Sequence, residues 1–130
     1  MPTDAQSMQL TKLGDPDAKP GRTIEAFPIA DPSQLITLDC GEFTCRCPIT
    51  GQPDWATISI EYRPNKLAVE TKSLKLYLET FREEAIFHEH LATQMRDDLI
   101  AALDPAAVTV TVKFNSRGGI AVTASSSHQR

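Results

Sequence analysis

The hydrophobic period of this chain changes twice, and that restricts its fold more than any other feature. From Trp55 to Tyr62 apolar side chains alternate: Ala56, Ile58, Ile60 and Tyr62 share one face, and Thr57, Ser59 and Glu61 take the other. A period of two is that of a strand with one buried face. Leu74, Tyr77, Leu78, Phe81 and Ala85 then form a helical stripe, which predicts a helix over 73–85. Leu91, Met95, Leu99 and Leu103, each four apart, predict a second helix over 87–103, stopped by Asp104-Pro105. The alternation returns at Val108, Val110, Val112 and Phe114. Two shorter runs, Leu35–Cys40 and Ile120–Ala124, complete the set, with Asn115–Gly119 as a hairpin turn. The predicted order is β-β-α-α-β-β, an α+β domain in which an antiparallel four-stranded sheet carries two helices on one face. Its outer strands are open edges, and pairing with neighbouring subunits is one way to cover them, so a homo-oligomer, and a closed ring, is expected.

A chain of 130 residues is long enough for one such domain. Residues 1–22 are polar and rich in Pro, Gly and Asp and read as a flexible arm. Residues 23–125 form the domain, and 126–130 read as a disordered tail. The net charge of -4 argues against a nucleic-acid backbone as the main partner, since phosphate binding needs a basic face. No apolar run reaches transmembrane length and the N-terminus has no secretory h-region, so no membrane is expected and a cytoplasmic location is. Three cysteines in such a chain point to free thiols or a metal site rather than a disulfide framework.

The chemistry concentrates in Phe43–Asp54, FTCRCPITGQPD. Pro48, Thr50, Gly51 and Pro53 favour bent chain, which brings Cys47, a potential nucleophile, towards Asp54, a potential proton donor. The thiol attacks as thiolate, so its pKa must fall from about 8.5. The carboxyl must be enclosed enough to hold a proton near neutrality. Cys40 lies on the apolar face of its strand and reads as core. Cys45 is close enough in sequence to share the face of Cys47.

Further along, Lys72 and Lys75 share a face at the start of the first helix, where the macrodipole favours acids. They are either solvated or ligands of an anion such as phosphate. Thr71 or Ser73 is the expected cap. Glu89 can accept two parallel hydrogen bonds from a guanine-like ring, with His88 beside it, or can simply suit the helix start. Arg117 is an exposed turn residue or a phosphate partner. There is no G-x-G-x-x-G and no P-loop. Cys40, Cys45, Cys47, His88 and His90 make a rival zinc constellation, although C-x-C and H-x-H are not usual structural zinc spacings.

The segments CPITGQPD, ETKSLKLY, FHEH and RGG, in that order, resemble the 7-cyano-7-deazaguanine reductases, the nitrile reductases of queuosine biosynthesis, in their single-domain form. The resemblance runs from about Phe43 to Ile120. It implies the tunnelling fold, with subunits in rings and active sites between them. It implies NADPH as cofactor, a deazapurine as small-molecule substrate and no metal. In these roles Cys47 would add to the nitrile carbon as a thioimidate and Asp54 would supply the proton. Val69, Glu70, Thr71, His88 and Glu89 would hold the substrate, and Lys72, Lys75 and Arg117 would contact the cofactor phosphates. The sequence departs from the family pattern at Thr71, where Ser or Leu is usual. It departs again at Leu91, where some relatives place a cysteine able to pair with the nucleophile; here only Cys45 or Cys40 could protect Cys47. The alternative function is a zinc-dependent hydrolase of the same fold acting on a purine- or pterin-like ring.

Overall fold

A computed structural model describes residues 10–130. Its elements are β1 (Ala26–Pro28), β2 (Ile36–Arg46), β3 (Pro53–Arg63), β4 (Leu67–Val69), α1 (Thr71–Glu79), α2 (His88–Leu103), β5 (Ala107–Phe114) and β6 (Thr123–Gln129). The main sheet is antiparallel with order β2-β3-β5-β6, as the alternation requires. Its inner face carries Ile58, Ile60, Tyr62, Val108, Val110 and Val112, all buried, against Leu91, Met95, Leu99 and Leu103 of α2. Burial of each such side chain is worth about 1.5–3 kcal/mol.

Three elements differ from the sequence expectation. The first strand does not end at Cys40 but continues to Arg46, through a register shift between Cys40 and Phe43. A bulge inserts an extra residue and exchanges the faces. Inward positions run 36, 38, 40 before it and 43, 45 after it, so the alternation breaks although the strand does not. The first helix is α1 and stops at Glu79 rather than Ala85, because Thr80, Phe81, Arg82 and Glu84 bond three residues back in successive tight turns. Phe81 stays fully buried and stacks edge-on with Tyr77 at 5.3 Å. The cap of α1 is the Glu70 side chain, not Thr71 or Ser73: its carboxylate accepts from Lys72 N at 2.6 Å and Ser73 N at 2.8 Å.

The expected disordered tail 126–130 is a correction too. The closing strand begins at Thr123 and continues to Gln129, beyond the expected end at Ala124. Its serines read as loop, yet they suit an edge strand. Ser125 and Ser127 pair with the hydroxyls of Thr111 and Thr109 at 2.9 Å each, and Ser126 with Thr93 of α2 at 2.9 Å. A small second sheet, β1-β4, was not foreseen; each of its strands is only three residues long. It is tied to the main sheet where Val69 N donates to the buried Tyr62 hydroxyl at 3.0 Å. Of the expected arm, residues 1–9 lie outside the described residues. The remainder is held down: Thr11 N and Lys12 N donate to the Glu25 carboxylate, and the Arg22 guanidinium covers the Phe81 ring at 3.9 Å.

Candidate active site

The two central strands of the site run out at the same end of the sheet. Asp54 stands two residues before Ala56, so the strand period turns it inward, and it is paired in register with Cys45. Phe114 ends the inward row of β5 opposite Ala56. Here the apolar face gives way to a carboxylate that is only 2% exposed. A buried carboxylate needs partners, and Asp54 has two. Arg117 Nη1 donates to its Oδ1 at 2.7 Å, and His88 Nε2 lies 3.3 Å from its Oδ2. The His88 ring is stacked flat on Phe114, with centroids 3.6 Å apart and planes at 6°.

Cys47 sits just past β2 in a closed turn. Its N–H donates to the Gln52 carbonyl, and its carbonyl accepts from Gly51 N, both at 2.9 Å. Gly51 takes φ 72°, a left-handed conformation that glycine adopts without strain. The turn points donors at the sulfur. The Thr50 hydroxyl, then the N–H groups of Thr50 and Ile49, and the Arg117 guanidinium bring the partly exposed Cys47 thiol down to about 7. Hydrogen bonds to the charged form favour it. Cys45 behaves oppositely. It lies in the core, and burial, with the charges of Asp54 and Glu84, pushes it up to about 12. Cys45 is therefore core, with Cys40 partly buried against it.

The site residues expected from sequence fall into two groups. Cys47, Asp54, His88 and Arg117 come together, with Glu89 exposed on the first turn of α2 beside His88. Arg117 faces Asp54, with its other nitrogen 3.2 Å from Gln52 Oε1. Val69, Glu70, Thr71, Lys72 and Lys75 gather at the start of α1. The far end of α1 leads into Arg46, whose N–H donates to Glu84 O at 2.9 Å. The nine residues of α1 span about 13 Å, so Thr71 and Lys72 stand about a helix length from its far end, with Lys75 halfway along. Val69 is buried in β4, the Glu70 carboxylate is used as a cap, and Lys72 Nζ donates to the Asp15 carbonyl. Thr71 and Lys75 line an open groove of about 710 Å³ between α1 and β2, floored by Leu38, Ile58, Ile60, Leu74 and Leu78.

Thr50, Gln52 and Phe114 were not singled out in the sequence. Thr50 sits three residues after Cys47 inside a turn, a position from which a hydroxyl reaches back, and that was a usable signal. Nothing in sequence marks Phe114 as the platform of His88. The zinc constellation is not assembled: Cys45 is turned into the core, and among the described residues no three His, Cys, Asp or Glu side chains gather so as to hold a metal.

Comparison with known proteins bears on the chemistry. The family described as "QueF-like protein" matches residues 53–130. The NADPH-dependent 7-cyano-7-deazaguanine reductase of Frankia casuarinae is 71% identical over 123 residues, covering 95% of this chain and 98% of that protein. The enzyme of the same name from Syntrophus aciditrophicus is 45% identical over 124 residues, covering 94% and 88%. Among solved structures, the apo archaeosine synthase QueF-Like superposes with a TM-score of 0.69 at 30% identity, covering 75% of this chain and 94% of that one.

Proposed function

The chain belongs to the family of NADPH-dependent 7-cyano-7-deazaguanine reductases, and from that premise we propose how its own residues carry the reaction. It is an oxidoreductase that uses NADPH to reduce the nitrile of 7-cyano-7-deazaguanine to the amine, 7-aminomethyl-7-deazaguanine, in queuosine biosynthesis. The balance is one nitrile, two NADPH and two protons to one primary amine and two NADP+. The observation that carries the residue assignment is the Arg117 guanidinium, which joins the buried Asp54 carboxylate to Gln52 of the turn that holds Cys47.

A nitrile is a poor hydride acceptor. The Cys47 thiolate adds to its carbon, one π pair moves to nitrogen, and Asp54 protonates that nitrogen, giving a neutral thioimidate. Bound NADPH would supply the hydride for each of the two reductions, the second after sulfur has left. Enclosure of Asp54 under Phe114 and His88 limits water at the carbon, which guards the thioimidate and the imine from hydrolysis. His88 and Glu89 hold the deazaguanine, Glu89 by accepting from its amide and amino edge. The groove between α1 and β2 suits the cofactor's chemistry. Its floor is apolar and Lys75 and Arg82 stand on its rim, where they would hold phosphates. Lys72 joins them if it leaves the Asp15 carbonyl.

Thr71 and Lys72 lie at the end of α1 away from the segment that meets Arg46, and the groove that Thr71 and Lys75 line does not include Cys47, so we assign the complete site to two copies of the chain, with α1 of one facing Cys47 of another. The exposed Ile49, Trp55, Phe87 and Ile120 around the Cys47 end, and the open edges of β2 and β6, support a homo-oligomer and are compatible with a ring. Val69 and Glu70 then shape the substrate pocket through the backbone they fix. Among the described residues no helix is long and apolar enough to cross a membrane. We place the reaction in the cytoplasm, where NADPH is supplied, with no direct nucleic-acid contact.

Mixing inactive variants tests the shared site. Cys47→Ala and Lys75→Ala proteins, dissociated and reassembled together, regain part of the activity if one site draws on two copies. No recovery from properly assembled mixtures contradicts a shared site.

A further inference from the structure

The inference rests on the reductase reading and deepens it by giving Arg117 a role in the chemistry itself. Arg117 is fixed at the corner of a tight turn: its N–H donates to Ile120 O at 2.9 Å, and its carbonyl accepts from Ile120 N at 3.0 Å. Gly118 and Gly119 follow at φ 58° and 81°, conformations that side-chain-bearing residues rarely adopt. From this corner the guanidinium reaches Asp54 Oδ1 at 2.7 Å and Gln52 Oε1 at 3.2 Å, and Gln52 closes the Cys47 turn by accepting from its N–H at 2.9 Å, so the charge stands between the carboxylate and the thiol's turn. The other charged or titratable groups nearby are engaged elsewhere. His88 meets the opposite oxygen of Asp54, the Arg46 head turns to Glu83 and the Gly51 carbonyl, the Glu84 carboxylate pairs with Arg22, and Cys45 lies in the core.

We propose that Arg117 is a catalytic residue of the addition step: one fixed positive charge that faces the negative charge both where it starts, on Cys47 Sγ, and where it ends, on the Asp54 carboxylate. During addition the sulfur lone pair becomes the C–S bond. One π pair of the C≡N bond moves to nitrogen, which takes the proton of Asp54. Sulfur becomes neutral and Asp54 becomes the anion, so a single negative charge has passed from one partner of Arg117 to the other. A preorganised cation set between the two ends needs no solvent rearrangement as the charge moves. When sulfur later leaves, the C–S pair returns to Sγ, and Arg117 faces it again.

A guanidinium bound to cofactor phosphate alone makes a different prediction, because addition precedes any need for NADPH. The test is therefore adduct formation without cofactor. Wild type, Arg117→Gln and Arg117→Lys are mixed with 7-cyano-7-deazaguanine, quenched over time and weighed intact. The rate of Cys47 carboxamidomethylation by iodoacetamide is measured across pH in parallel. Arg117→Gln is expected to slow the adduct about 100-fold and to move the alkylation profile towards the ordinary thiol value of about 8.5. Arg117→Lys, which keeps the charge without the fork, falls between and serves as the test if the Gln variant does not fold. A folded Arg117→Gln protein that forms adduct at the wild-type rate, and is slow only in NADPH turnover, overturns the proposal. If wild type itself forms no adduct, it is the reductase reading that fails. The alkylation profile then decides separately whether Arg117 holds the thiolate.

Discussion

Asp54 and Arg117 are 63 residues apart in sequence and 2.7 Å apart between Oδ1 and Nη1, brought together by the antiparallel pairing of β3 with β5. The pair is asymmetric: Asp54 is buried, while the side chain of Arg117 is 40% exposed. A fixed carboxylate is thus served by a cation that solvent and ligands can reach.

Replacing Asp54 by Asn keeps the shape and removes the acid. Turnover is expected to fall by about 100-fold or more, the range for loss of a positioned proton donor. The adduct step should slow in the same proportion when followed by quenched mass measurement without cofactor. An Asp54→Asn protein whose NADPH oxidation is near wild type shows that another group donates the proton.

The thiols should separate by pH. Cys47 is lowered to about 7, so its thiolate fraction, and with it the iodoacetamide rate, rises through about pH 7 and levels off roughly a unit above. Cys45 is raised to about 12 by burial, so it stays protonated and unreactive across the same range until the protein unfolds. Peptide mapping of the labelled sites checks both. Labelling of Cys45 in parallel with Cys47 in folded protein contradicts this ordering.

Glu70 makes a prediction about stability rather than catalysis. Glu70→Ala removes the acceptor for Lys72 N and Ser73 N, and loss of a helix cap costs about 1 kcal/mol, within a range of 0.5–2. Melting of the ligand-free protein should drop by about 3–5 °C. If Glu70 served only to hold substrate, the ligand-free protein would melt unchanged.

The sequence showed the sheet and helices wherever one period held without interruption, as in β3, β5 and α2. It concealed β2 beyond Cys40, because a bulge swaps the faces and erases the alternation on which the reading depends. It concealed β6 because an edge strand stabilised by serine and threonine hydroxyls carries no apolar row. Within the site, Cys47 and Asp54 were legible because one turn holds both. The contact of Arg117 with them was not, since it is set by strand register across 63 residues. The Glu70 cap was missed because glutamate rarely caps a helix, and Thr71 and Ser73 are the more usual choices.

The central claim is that Cys47 becomes covalently bound to the nitrile carbon. The direct measurement is the intact mass of the protein mixed with 7-cyano-7-deazaguanine, before and after NADPH is added. The account predicts a gain equal to one ligand per chain, absent in Cys47→Ala, and discharged by two NADPH with release of the primary amine. Well-folded wild-type protein that gains no mass yet reduces the nitrile, or a Cys47→Ala protein that still does so, would contradict it.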